Sequence, residues 1–239
     1  MRYDNYYSSK AMNFETNGSF LNAGKKLPIM CASLLVAILL VVPFALVSLP
    51  TSAAYTAPVN LSNDSYQAHY PWIANSGNHL YVTWTEEIHG IYFRSSSDGG
   101  STWSPLLTSP ATLLSIKQKG YGVANYPIVY ANGTDVYVVW SQTVNTSGVN
   151  VLQIFIAVST NSGASFFPAV QLTSGSSTNG WITPVIAASG SNVYVAYTGN
   201  GKNSYVTWSN NYGAAGSWHA PLLYATTHEP QIAAWGNNA

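Results

Sequence analysis

The chain has 239 residues, of which 7% are charged, 47% hydrophobic and 13% aromatic, with 19 Gly and 12 Pro. So low a charge content excludes a charged coiled coil and a charge-driven disordered chain. A formal net charge of zero leaves no basic surface to neutralise a phosphate backbone, which argues against nucleic acid as a partner. The single Cys31 excludes an intrachain disulfide framework and a thiolate metal cluster.

Residues 1–26 form a polar leader ending in Lys25 and Lys26, and from Leu27 to Leu49 no charged residue occurs. At ~1.5 Å per helical residue this run spans a hydrocarbon core of ~30 Å, and a spanning helix tolerates Pro43 near one end. The positive flank predicts a cytoplasmic segment 1–26, a transmembrane helix over 27–49, and everything after Leu49, beginning with a linker at 50–66, outside the cytoplasm. The small residues Ser52-Ala53-Ala54 keep a second reading open, in which the helix is a signal h-region and cleavage near Ala54 secretes the rest. Sequons at Asn60, Asn63, Asn132 and Asn145 are compatible with glycosylation on that side.

Beyond the linker the chain repeats itself. The segments YPWIANSGNHLYVTWTE, YPIVYANGTDVYVVWSQ and TPVIAASGSNVYVAYTG align on Pro71, Pro127 and Pro184, and a fourth start, EPQIAAWGNNA, aligns on Pro230. Tyr81, Tyr137 and Tyr194 recur in register, as do Trp84, Trp140 and Tyr197. Each unit predicts a short apolar strand after the proline, a Gly/Asn turn, a β-branched and aromatic strand such as 137–140, and a third strand at 90–96, 151–159 or 204–209. A fourth strand of the first unit is expected within 103–114. The apolar runs are continuous rather than alternating, which predicts strands buried on both faces.

Units of about fifty residues with four short strands predict β-propeller blades, near 67–120, 121–180 and 181–227, with a partial blade over 228–239. The expected fold is therefore all-β, an incomplete β-propeller after one N-terminal transmembrane or signal helix. Three full units do not close a ring, so a fragment of a longer propeller, or closure by self-association, is expected.

After its third strand the first unit reads SSDGGSTW, with Ser96, Asp98, Gly100, Thr102 and Trp103 at the positions of an Asp box. The second unit has Ser159, Asn161, Gly163 and Phe166, and the third has Ser209, Asn211, Gly213 and Trp218. A short Asp or Asn side chain can accept backbone N–H groups a few residues on and so fix a turn. These turns are expected to be structural. On these residues the stretch 67–239 resembles the sialidase-like Asp-box (BNR-repeat) propellers, and that resemblance implies a propeller with its turns on the periphery and its site at the centre.

The activity of sialidases does not follow from the resemblance. Those enzymes use three arginines to hold a carboxylate, a Tyr–Glu nucleophile pair and an acid/base Asp, whereas Arg94 is the single arginine after the apolar run. Arg94 is retained as a candidate binding residue. Glu86 and Glu87 are adjacent on a strand and point to opposite faces, so they cannot flank one glycosidic bond unaided. Glu86 and Glu229 are the candidate catalytic carboxylates, and Trp72 and Trp235, close to the unit-start prolines, are candidates for stacking on a sugar. His69, His79, His89, His219 and His228 lack metal-ligand spacing, so no metal and no cofactor are expected. The function expected is a surface binding or interaction module for a glycan or protein ligand, with a fragment of an exo-acting glycosidase as the alternative.

Overall fold

The computed structural model describes residues 57–174, 183–199, 203–226 and 229–239. The leader 1–26, the apolar run 27–49, most of the linker 50–66 and His228 lie outside the described residues. No helix among the described residues is long and apolar enough to cross a membrane.

These residues form twelve strands in three four-stranded antiparallel sheets, each a meander in chain order. The first sheet holds β1 (Ala68–Ser76), β2 (His79–Glu86), β3 (Gly90–Ser96) and β4 (Thr112–Leu113). The second holds β5 (Tyr121–Asn132), β6 (Asp135–Thr146), β7 (Val149–Ser159) and β8 (Val170–Gln171). The third holds β9 (Pro184–Ser189), β10 (Asn192–Gly199), β11 (Asn203–Ser209) and β12 (Leu222–Ala225). The fourth strands are short: within the 103–114 stretch the strand is Thr112–Leu113, paired with Phe93 and Tyr92 of β3, and Ser104 makes an isolated bridge to Ser95 of the same strand.

The continuous apolar runs follow from sheets stacked face to face. On β6, Val136, Val138 and Trp140 pack with Tyr81, Ile91 and Phe93 of the first sheet. The intervening Tyr137 and Val139 pack with Ile186, Val193, Val195 and Tyr197 of the third. Alternate side chains thus serve two separate cores, so a middle strand has no solvent face on which a polar residue would be neutral. Each such side chain contributes ~1.5–3 kcal/mol on burial.

The turns after β3, β7 and β11 share one hydrogen-bond pattern. Ser96 Oγ donates to Asp98 Oδ1 at 2.8 Å and accepts the Gly100 N–H at 2.8 Å. Thr102 then donates its N–H and its hydroxyl to the two Asp98 oxygens, at 2.8 and 2.7 Å. In the second copy Ser159 bonds Asn161 and Gly163 in the same way, and Asn161 Nδ2 donates to Ser165 Oγ at 2.8 Å where Asp98 accepts. In the third, Ser209 Oγ accepts the N–H groups of Asn211 and Gly213, and Trp218 Nε1 donates to the Gly213 carbonyl.

One glycine shows why the pattern matters beyond the turn. Gly163 has φ +77°, and a Cβ there would lie 2.7 Å from Phe93 Cζ of the neighbouring sheet. Phe166 from the same turn meets Phe93 edge-on, with ring centroids 4.8 Å apart. The turn is therefore a wedge between sheets as well as a chain reversal.

Candidate functional site

The four unit starts converge on one cavity of about 620 Å³. Its lining includes Tyr70, Pro71 and Trp72 from β1, Tyr126 to Tyr130 from β5, Thr183 to Ile186 around β9, and Glu229 to Ile232. A volume of this size suits a small ligand or one end of a chain.

Three of the four residues that precede the repeat prolines have a left-handed backbone: Tyr70 at φ 50°, Tyr126 at 56° and Glu229 at 56°. Bulky residues avoid this region, and a following proline restricts them further. Each such residue stores roughly 1–3 kcal/mol of strain. The register of β1 against β2 shifts between His69 and Trp72, and that of β5 against β6 shifts between Asn125 and Ile128. The Tyr-Pro pairs are thus β-bulges, which re-aim side chains and are enriched beside functional sites. The two rings meet with centroids 4.5 Å apart and a tilt of 52°. Burial first, then the hydrogen bond and proximity of Tyr70, push the Tyr126 hydroxyl up to about 12.

The remaining wall is fixed by single contacts. The Glu229 N–H donates to Thr198 Oγ1 at 3.1 Å, and the Tyr130 hydroxyl donates to the Ala188 carbonyl at 3.0 Å, tying the second sheet to the third. Trp72 is half exposed. Among the described residues no group of three or more His, Cys, Asp or Glu could hold a metal ion.

Of the sequence candidates, Trp72 and Glu229 line this cavity and the others do not. Trp235 is 84% exposed and exchanges backbone hydrogen bonds with Asn238 in a tight turn. Arg94 is fully buried and donates to the carbonyls of Leu61, Pro105, Leu106 and Ser109. Its guanidinium clamps the loop before β4 to the preceding segment and is not presented to a ligand. Glu86 is also buried. Burial first, then a hydrogen bond that the protonated carboxyl donates to Asp64, pushes Glu86 up to about 6, and the indole N–H of Trp84 acts the other way.

Asn60, Asn63 and Asn145 are exposed, and Asn132 is half-buried. The Asn63 Nδ2 donates to the Leu107 carbonyl at 2.6 Å. Tyr70 and Tyr126 were not singled out from the sequence. Their signal is a fixed Pro in each unit preceded by a changing residue, Tyr, Tyr, Thr and Glu.

No protein-family model and no curated sequence matches the chain. Solved structures similar in fold include an α-L-arabinofuranosidase of Fusarium graminearum in complex with arabinobiose. It is 15% identical with a TM-score of 0.46, over 69% of this chain and 52% of that one. The catalytic domain of an α-L-arabinofuranosidase from Coprinopsis cinerea is 12% identical with a TM-score of 0.41, over 70% of this chain and 53% of that one. A Bacillus subtilis arabinanase is 16% identical with a TM-score of 0.35, over 65% of this chain and 69% of that one. The chain spans about half the length of the two arabinofuranosidases. These are likenesses of fold alone, to glycoside hydrolases and not to sialidases in particular, and they assign no role to any residue here.

Proposed function

We propose that the cavity at the unit starts is a saccharide-binding site and that the chain is a glycan-recognising module held outside the cytoplasm through residues 27–49. The observation that carries this reading is the presence of Tyr70, Trp72, Tyr126, Tyr130 and Glu229 on one cavity lined for the most part by prolines and aliphatic residues. The C–H face of a sugar stacks on aromatic rings, and its hydroxyls seek a small number of convergent polar groups. Peripheral turns of the sialidase-like type would serve this site by wedging the sheets that present it.

A hydrolytic reading has one observation in its favour. Glu229 shares the cavity with the Tyr70 and Tyr126 hydroxyls, and a tyrosine paired with a glutamate is one known nucleophile for glycoside cleavage. Cleavage also needs a second acid/base group, and Glu229 is the one carboxylate among the described lining residues.

The test uses the full chain in a detergent without a sugar headgroup, probed on a glycan array and with a panel of fluorogenic aryl glycosides. Binding without turnover supports the module. Turnover lost in Glu229→Gln supports the hydrolase, and absence of both contradicts the site.

A further inference from the structure

Resting on the saccharide reading of this cavity, we infer that it selects neutral sugars and excludes those bearing carboxylate or sulfate groups. Glu229 is the one charged side chain among its described lining residues; the other polar side chains are the tyrosines, Trp72, Thr183 and Gln231. An acidic sugar placed there meets the like charge of Glu229, an exposed residue, with no cation among the described lining residues to offset it.

The cations among the described residues are engaged or lie elsewhere. Arg94 is held by four carbonyls, Lys117 donates to the Ile88 carbonyl at 2.7 Å, and Lys119 does not line the cavity. His69, next in sequence to Tyr70, lies 3.8 Å from the Glu87 carboxylate.

The backbone points the same way. An anion without a cationic partner is normally received by peptide N–H groups gathered in a concavity. Here the four converging positions are Pro71, Pro127, Pro184 and Pro230, and proline has no N–H to give. With those four N–H groups absent, the Glu229 carboxylate remains to accept hydroxyl protons from a neutral ligand.

The experiment measures binding of the full chain, and of Glu229→Gln, to matched glycan pairs. Each neutral glycan is set beside its uronic-acid, sialic-acid or sulfated counterpart. The expected result is neutral binding with each acidic partner about tenfold weaker or more, and a narrower gap in Glu229→Gln. Equal or tighter binding of the acidic partners overturns the selectivity while leaving the saccharide site standing, and an unchanged gap in Glu229→Gln overturns it too. No binding of either class overturns the saccharide reading and the selectivity together.

Discussion

The indole N–H of Trp84 donates to Glu86 Oε1 at 2.8 Å, and one repeat later Trp140 donates to Gln142 Oε1 at 3.2 Å. Gln142 also donates to the carbonyls of Ile116 and Gly122. The slot below the repeat tryptophan therefore takes a carboxylate or an amide, and its shared task is to satisfy a buried indole. In the third unit Tyr197 stands for the tryptophan and Gly199 for its acceptor.

Glu86→Gln follows from that equivalence. The carboxyl sits at about 6, above its ordinary 4.5, so the folded chain holds the proton more tightly than the unfolded one. This group's contribution is therefore full below about pH 4.5 and declines as the pH rises to about 6. E86Q keeps the acceptor for Trp84 and removes the charge. Thermal unfolding across pH 4–8 is expected to lose the decline, with a gain of about 1–2 kcal/mol at pH 7.

Asp98 runs in the opposite direction. The hydroxyl and N–H of Thr102, with Ser96, hold its carboxyl down at about 2, below its ordinary value. Its contribution is present above about pH 4 and disappears as the pH falls to about 2. Asp98→Asn, the residue found at position 161, is expected to fold with this acid limb removed. Asp98→Ala is expected to lower the melting temperature at pH 7, because the Thr102 donors lose their acceptor.

The wedge is tested by a pair of glycines. Gly163→Ala puts a Cβ against Phe93 at a positive φ, whereas Gly148, at φ +86°, has open space around that position. Denaturant unfolding is expected to show a loss of about 2–4 kcal/mol for G163A and about 1 kcal/mol for G148A. Equal losses would mean that the backbone alone sets the effect.

Arg94→Met removes the donors that satisfy four carbonyls, and a loss of about 3–5 kcal/mol in thermal unfolding is expected. Arg94→Lys keeps the charge but not the planar fork, so it should recover little of that loss. A lysine variant of full stability would show that charge, not geometry, is what the loop requires.

Much of the fold is legible in the sequence because the prolines and aromatic strands recur in register, and because stacked sheets leave Tyr137 to Trp140 no polar face. The fourth strands are less legible, since Thr112-Leu113 and Val170-Gln171 are too short to carry a pattern of their own. Trp72 and Glu229, which line the cavity, lie near repeat prolines, but so does Trp235, which does not line it, because sequence distance from a proline does not say which way the chain turns. Arg94 stands out in the sequence as the single arginine after the apolar run, but its carbonyl partners at 61 and 105–109 come from irregular segments that no periodicity marks. The placing of Tyr70 and Tyr126 on the cavity is not legible in the sequence, because a β-bulge is a property of two strands in register and not of either alone.

The most direct measurement of the central claim is titration calorimetry of an array-identified glycan against the full chain, Trp72→Ala and Trp235→Ala. Both tryptophans are at least half exposed or nearly so, at 48% and 84%, so both variants should stay folded. Binding at least about tenfold weaker is expected for W72A, from the loss of one stacked ring, and about wild-type affinity for W235A. Undiminished affinity in W72A, or a loss confined to W235A, would place the ligand elsewhere on the molecule and overturn the saccharide site at the unit starts.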